Sequence, residues 1–156
     1  MWVCRAGKDA LYIDKVKADG KIYLFWEGYK NDYSSIQDLK GFRNIVQTEK
    51  GEESKTSISN WAAQLYAFCK TIKKNDFVLI PYYKAHKYLL VKVIGDYTYQ
   101  ATEEYPHSRP VEIVREDIPK EIFPQDIIFS LNAFRTIYKV KNEERILQII
   151  NSKLEV

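Results

Sequence analysis

Residues 76–94 read DFVLIPYYKAHKYLLVKVI, and this stretch decides the fold class. Two runs rich in β-branched and aromatic residues, 76–81 and 87–94, flank a short polar segment, which is the pattern of a β-hairpin. Two further strands are predicted, around 97–101 and at 110–114, with Gly95-Asp96 as turn residues before them. The middle of the chain therefore predicts consecutive strands.

The first half of the chain adds short strands and helices. The predicted elements are strands at 2–6 and 22–26 and helices at about 8–17, 36–46 and 60–73. The third helix is the clearest, because Trp61, Leu65 and Phe68 recur on one face. Ser57 or Ser59 is expected to cap it.

The tail predicts a helix near 125–131, a strand at 136–140 and a last helix at 142–152. Strands and helices do not alternate along the chain, which argues against a parallel doubly wound sheet. The order favours an α+β fold with a curved sheet or half-open β-barrel flanked by helices.

Length and composition indicate one ordinary domain covering residues 1–156. The net charge of +3 is too small to indicate a nucleic-acid binder by itself. Cys4 and Cys69 lie in apolar runs, which favours buried, reduced thiols over a disulfide. No apolar stretch is long enough for a membrane span and no leader pattern is present, so we expect a cytoplasmic protein without membrane contact.

Catalytic motifs are scarce in the sequence. It has neither a GxGxxG nor a GxxxxGK[ST] pattern, and His86 and His107 lie outside any metal-ligand spacing. The nearest match to a metal-dependent nuclease pairs Asp96 with Glu112, but Val114 stands where a lysine is needed. We therefore expect a non-catalytic binding domain without cofactor or metal.

Aromatic residues are abundant, with 12 tyrosines, 7 phenylalanines and 3 tryptophans, and several lie beside cations at strand ends. Arg5 and Lys8 flank Gly7, Trp26 ends a predicted strand, and the hairpin tip contains Tyr82. A third group, with three tyrosines, His107 and Arg109, lies in residues 97–109. An unpaired or flipped base can stack on aromatic rings while cations contact its phosphates, so these residues suit such a ligand. A tyrosine-rich sheet with solvated lysines is the alternative.

Several segments together resemble a known family. They are residues 1–7 (MWVCRAG), Phe25-Trp26 followed by 32–34 (DYS), 60–68 (NWAAQLYAF), 75–81 (NDFVLIP), 94–99 (IGDYTY) and 105–112 (YPHSRPVE). Over about residues 1–140 the chain is similar to the N-terminal modules of Mrr-like restriction endonucleases and some McrB-type restriction subunits. Those modules are similar in fold to the EVE, YTH and wider PUA-like group. The chain departs from the pattern at Phe25 and Asn75, where glycine is usual.

The resemblance implies a PUA-like domain that flips a modified base into an aromatic cage. It assigns Trp26 to the cage and contacts with the base to Arg5, Ala6 and Gly7. It assigns a second cage wall to the loop between the late strands, where the aromatic residues are Tyr97, Tyr99 and Tyr105. His107 and Arg109 would then reach a phosphate or the edge of the base.

The implied function is DNA binding, with recognition of a methylated adenine or cytosine, as the targeting part of a modification-dependent restriction or phage-defence system. An RNA-binding PUA- or YTH-type domain that reads a modified or unpaired base is the alternative. A nuclease and a protein-interaction domain are further possibilities. The 156 residues contain no catalytic module, which favours a nuclease or AAA+ motor as a partner or fused domain.

Each candidate residue also has a plain structural interpretation. Trp26 and Trp61 could be core residues; if Trp61 is instead a pocket wall, Asn60 is a possible polar contact beside it. Arg5 could form an internal salt bridge, and His107 could cap a turn. Tyr82 and Tyr83 alternate along a strand, so at most one of them faces a pocket. The three lysines near the end of the third helix, Lys70, Lys73 and Lys74, could be a solvated helix end or a DNA track.

Overall fold

Seven strands form one sheet in the computed structural model, which describes residues 1–51 and 53–154, with Asp9 and Tyr83 described for the backbone alone. The strands are β1 (Trp2–Cys4), β2 (Lys21–Tyr23), β3 (Phe77–Tyr82), β4 (Lys87–Val93), β5 (Thr98–Tyr99), β6 (His107–Pro119) and β7 (Ile137–Lys139). Their order is β2-β6-β4-β3-β1-β7, with β5 paired to β6. β1 is parallel to β3, and the other pairs are antiparallel.

The predicted hairpin is confirmed as β3 and β4. Its ladder runs from Phe77 opposite Lys92 to Tyr82 opposite Lys87. Successive side chains of a strand point to opposite faces, and the buried residues of this hairpin follow that rule. Val78 and Ile80 pack on one side of the sheet, while Leu79 packs on the other.

β6 gives the sheet its curl. Its second part, Val111–Pro119, pairs with β4, while its first part pairs with β2 and β5. The β4–β6 register shifts on both sides of Leu90, and irregularities of this kind increase the local twist. The result is a strongly curled half-barrel sheet flanked by helices, so the predicted α+β class is confirmed.

The helices are α1 (Ile13–Asp19), α2 (Leu39–Glu49), α3 (Lys55–Tyr66), α4 (Gln125–Ser130) and α5 (Glu143–Leu154). α3 continues into a π-helical turn, Ala67–Thr71. The side chains of Asp38 and Ser54 accept backbone N–H groups at the starts of α2 and α3, so the predicted starts were wrong by a few residues. Among the described residues, no helix is long and apolar enough to cross a membrane.

Two core layers cover the two faces of the sheet. The larger layer joins the sheet to α1, α2 and α3 through residues such as Val16, Phe42 and Leu65. The smaller layer joins it to α4 and α5 through Ile127 and Ile146. Helices therefore pack on both faces of the sheet, which leaves the ends of strands and the connections as places for functional side chains.

Two predicted strands end earlier than expected. β1 stops at Cys4 and β2 stops at Tyr23, whose ladder partner is Ser108. Leu24 makes one more backbone bond, to the His107 carbonyl, and the chain then enters an irregular segment, 24–38. Trp26 therefore lies beyond the strand, and the alternation of side chains along a strand does not fix the direction of its ring.

Candidate functional site

Four separate segments of the chain meet at Thr136, just before β7. The Arg5 backbone N–H donates to the Thr136 carbonyl at 2.9 Å. The indole Nε1 of Trp26 donates to the Thr136 hydroxyl at 3.4 Å. The Thr136 N–H donates at 3.0 Å to Oε1 of Gln64 in α3. We call these four residues, with Asn60 beside Gln64, the Thr136 junction.

Gln64 ties α3 to β7. Its side chain is buried, and Oε1 accepts the N–H groups of both Thr136 and Ile137. Its Nε2 faces Oδ1 of Asn60 at 3.5 Å, the outer limit of a hydrogen bond. Three predicted site residues, Arg5, Trp26 and Asn60, are therefore brought together through Thr136 and Gln64.

Trp26 is half-buried at this junction and packs against Tyr29, with 5.3 Å between ring centroids. At 3.4 Å its bond to Thr136 is long for an N–H···O bond, whose usual range is about 2.7–3.2 Å. A hydrogen bond of this length is weak, so a ligand could replace Thr136 as the acceptor at a small cost in free energy. The indole therefore combines a partly accessible ring with a donor that a ligand could engage.

Arg5 connects the end of β1 to the loop before β7. Its guanidinium donates to the backbone carbonyl of Ala133, and its own N–H donates to the Thr136 carbonyl. The side chain is half-buried. Arg5 therefore holds the segment 131–136 in place at the junction.

A groove of about 370 Å³ between α3 and β7 shares Asn60 and Gln64 with the junction. Exposed Arg135 and Lys139 line it, together with buried Trp2. The groove therefore offers positive charge next to the junction.

The residues after β1 belong to a second aromatic set. Gly7 has φ +78, and a Cβ atom there would lie 2.4 Å from the Tyr12 ring. Tyr12 stacks on Phe25 at 4.5 Å, and Tyr105 approaches both rings, at 5.2 and 4.8 Å. Ala6 is buried, while Lys8 is exposed. The predicted contacts Ala6, Gly7 and Lys8 thus adjoin Tyr12.

Tyr97 and Tyr99 form a third set around His107. The Tyr97 hydroxyl lies 2.6 Å from His107 Nδ1, and the Tyr99 ring lies 5.4 Å from the imidazole. Tyr33 also stacks on His107, with 4.6 Å between ring centroids and nearly parallel planes. The predicted cage of Trp26, Tyr97, Tyr99 and Tyr105 is therefore divided among three ring sets.

The sequence predicted that His107 and Arg109 lie in a loop, but the structure places them in a strand. Both belong to the start of β6, and their side chains are 1% and 2% exposed. The Arg109 guanidinium donates to the carbonyls of Phe68, Ile72 and Gly95 at 2.7–3.1 Å. Burial lowers the pKa of both groups. The predicted loop position was wrong because β6 begins three residues earlier than its pattern indicated.

A basic cleft of about 420 Å³ lies at the end of the π-helical turn. Lys70, Lys73 and Lys74 line it, with Asp96 as an acidic neighbour. Lys70 also donates to the Ser34 carbonyl at 3.0 Å. The cleft is compatible with either interpretation of these lysines, a solvated helix end or a track for phosphates.

The remaining predicted site residues pack elsewhere on the larger core layer. Trp61 is half-buried against this layer from the first part of α3. Tyr82 is half-buried at the end of β3, with the Lys17 ammonium 5.5 Å from its ring centroid. The ring contacts and hydrogen bonds of the junction involve neither residue.

Cys4 and Cys69 are buried free thiols, as predicted. Burial raises the pKa of each to about 12, so both stay protonated and are poor nucleophiles. Within residues 1–51 and 53–154, no group of three His, Cys, Asp or Glu side chains is placed to hold a metal ion.

The family of the chain is decided by a match over residues 2–141 to the model of DUF8426, a domain of unknown function. The chain belongs to the DUF8426 family. The matched span runs from β1 through β7 and includes the whole Thr136 junction. No curated protein and no solved structure matches the chain significantly.

Sequence reasoning missed two residues that organise the junction of this DUF8426 domain, Gln64 and Thr136. Gln64 did carry a signal, because it is a polar residue within the otherwise apolar stretch 61–69 of a helix (WAAQLYAFC). Buried polar side chains are nearly always hydrogen-bonded, so a glutamine there indicates a backbone partner. Thr136 had no such signal, because its role depends on where β7 pairs.

Proposed function

We propose that this DUF8426 domain binds DNA and reads a modified base, with a methylated adenine or cytosine as the expected target. The observation that carries the proposal is the Thr136 junction. Arg5, Trp26 and Asn60 lie far apart in the sequence, yet they converge on Thr136 and Gln64. A half-buried ring with polar groups around it is the arrangement that a flipped base needs.

The junction supplies the interactions expected for such a ligand. Stacking of a base on an aromatic ring contributes about 1–3 kcal/mol, and Trp26 offers such a ring. Arg5 and Asn60 provide hydrogen-bonding groups for the edge of the base. Exposed Arg135 and Lys139 lie along the adjoining groove, where they can contact phosphates and make binding dependent on salt.

The fold proposal is a PUA-like domain of the EVE and YTH type. A strongly curled α+β half-barrel supports it, together with the resemblance over residues 1–140. In this proposal the domain directs a restriction or phage-defence system to modified DNA. Cleavage or strand movement then belongs to a nuclease or AAA+ motor, acting as a partner or a fused domain.

Discrimination depends on how well the site surrounds the modification. Burying one methyl group contributes about 0.8 kcal/mol, which corresponds to a roughly fourfold preference. A larger preference requires polar groups that are left without partners when the unmodified base binds. We therefore expect a preference of about fivefold to fiftyfold for the correct modification.

The proposal is tested by titrating the protein against labelled duplexes with 6-methyladenine, 5-methylcytosine, 5-hydroxymethylcytosine or no modification. Fluorescence anisotropy gives the dissociation constants, and the matched RNA strands serve as the comparison. We expect one modified duplex to bind at least fivefold more tightly than the others. Equal binding of all four duplexes, or tighter binding of RNA, would contradict the proposal.

A further inference from the structure

Phe134 displays its whole side chain to solvent. Its exposure is 100%, the highest of the large apolar residues that the structure describes, and it lies in the loop between α4 and β7. Its neighbours Asn132 and Arg135 are polar and exposed as well. A single exposed ring provides much less apolar area than a protein interface needs.

The loop that presents Phe134 is fixed on both sides. Before it, Leu131 is buried and Ala133 accepts a hydrogen bond from the Arg5 guanidinium. After it, Thr136 donates to Gln64 and accepts from the Arg5 N–H. The ring is therefore held out from an anchored loop, and little backbone entropy would be lost if it bound a ligand.

Phe134 lies two residues from Thr136, the residue on which the proposed base-binding site is centred. Thr136, two residues after Phe134, receives the indole N–H of Trp26. Arg135, between them, lines the groove that borders the junction. An exposed ring, a cation and the acceptor of the Trp26 indole N–H are thus consecutive residues, Phe134, Arg135 and Thr136.

We propose that Phe134 is a wedge that enters the base stack of a DNA duplex when a base is flipped into the Thr136 junction. Apolar side chains inserted between base steps are an established means of opening a duplex, because they replace part of the lost stacking. Arg135 then contacts the neighbouring phosphate. The inference rests on the proposed function and specifies its substrate as double-stranded DNA.

If Phe134 is a wedge, its loss should affect duplex and single-strand binding differently, which is not expected for an ordinary contact with the ligand. A base in a single strand is already unstacked, so its binding does not require a side chain to replace it. Phe134→Ala should therefore weaken binding of the modified duplex about tenfold or more, by the usual effect of losing a stacked ring. It should leave binding of the same modified single strand within about twofold.

Phe129→Ala is the matched control. Phe129 is 82% exposed on α4, in the same helix–loop segment, but it lies outside the hydrogen bonds that surround Thr136. Neither substitution removes a buried side chain, so both variants should keep the melting temperature of the parent protein. Phe134→Trp should restore duplex binding, because the larger ring can still stack.

The experiment compares four proteins, the parent, Phe134→Ala, Phe134→Trp and Phe129→Ala. Each is titrated with the modified duplex and the modified single strand, with 2-aminopurine next to the modified base as a reporter of unstacking. Loss of duplex affinity and of the 2-aminopurine signal in Phe134→Ala alone supports the wedge. An unchanged duplex affinity, or an equal loss on the single strand, overturns the wedge while the parent still prefers modified DNA. If the parent binds no DNA, both proposals are wrong.

Discussion

At the scale of single residues, His107 shows how one neutral side chain holds the segment 24–38 against β5 and β6. The Tyr29 carbonyl can only accept, so Nε2 of His107 carries the proton and donates to it. Nδ1 then accepts from the Tyr97 hydroxyl, which itself accepts from the Tyr33 N–H. Every polar atom of the ring is used in its uncharged form.

Protonation of His107 would break this arrangement. The added proton on Nδ1 would face the Tyr97 hydroxyl, whose own hydrogen already points there, and the charge would be buried. Burial therefore lowers the pKa of His107 below the roughly 6.5 of a solvated histidine. The unfolded chain binds a proton between these two pKa values, while the folded chain does not. The stability from His107 is complete above pH 6.5 and is lost as pH falls below it.

We predict that the free energy of unfolding decreases as the pH falls from about 7 to about 5. The slope should be at most about 1.4 kcal/mol per pH unit, the limit for one proton. His107→Gln should remove this part of the slope and should lower the stability at pH 8 by about 1–3 kcal/mol. Urea unfolding at a series of pH values measures both effects.

His86→Asn is the control for that experiment, because His86 is exposed and its backbone has a positive φ that asparagine tolerates. Its pH dependence should match that of the parent protein. A His107→Gln variant with the parent slope would show that another group causes the decrease.

At the scale of elements, the end of α3 depends on a strand that the sequence places far away. The π-helical turn leaves carbonyls at Phe68 and Ile72 that the helix itself does not satisfy, and Arg109 in β6 donates to both. A guanidinium suits this role, because its planar group presents several donors at fixed angles. β6 thereby fixes where the helix ends and where the basic cleft begins.

Replacing Arg109 with methionine should lower the free energy of unfolding by about 3 kcal/mol or more, because buried carbonyls lose their donors. The helix end should also open locally and expose Cys69, which lies in the π-helical turn. Thiol labelling with peptide mapping should then show faster modification of Cys69, while chemical denaturation gives the stability.

Arg115→Met removes an arginine from the same strand and serves as the control. Arg115 is half-buried and donates to the Leu154 carbonyl near the end of α5. We expect a loss of less than about 1 kcal/mol and an unchanged labelling rate of Cys69. Equal effects of the two substitutions would contradict the role given to Arg109.

The sequence predicted most elements because their signals are local. The β3–β4 hairpin and the apolar stripe of α3 follow from residue periodicity alone, and both are present. The position of His107 and Arg109 was mispredicted, because polar residues are seldom fully buried and their partners lie on distant segments. The end of β2 before Trp26 also depends on a partner, since its ladder stops where β6 begins.

At the scale of the whole molecule, the candidate site depends on the order of the strands in the sheet. β1 lies between β3 and β7, so the end of β1 and the start of β7 are neighbours although about 130 residues separate them. The sequence nominated Arg5 and Trp26 as residues at strand ends, and Asn60 only as a polar contact beside Trp61. The meeting of Arg5 and Trp26 at Thr136, with Asn60 joined through Gln64, could not be predicted, because no local pattern specifies the pairing of β1 with β7.

We propose that the Thr136 junction reads a modified base through Trp26. The most direct measurement compares the affinities of Trp26→Ala and the parent protein for the preferred modified duplex and its unmodified counterpart. Phe77→Ala is the control, because Phe77 is also a half-buried aromatic residue but packs on the smaller core layer. Circular dichroism checks that all three proteins are folded.

We predict that Trp26→Ala weakens binding of the modified duplex about tenfold or more, the effect of losing one stacked ring, and abolishes the preference over the unmodified duplex. Phe77→Ala should keep both the affinity and the preference. A Trp26→Ala protein that is folded and still prefers the modified duplex as strongly as the parent would contradict this role of Trp26.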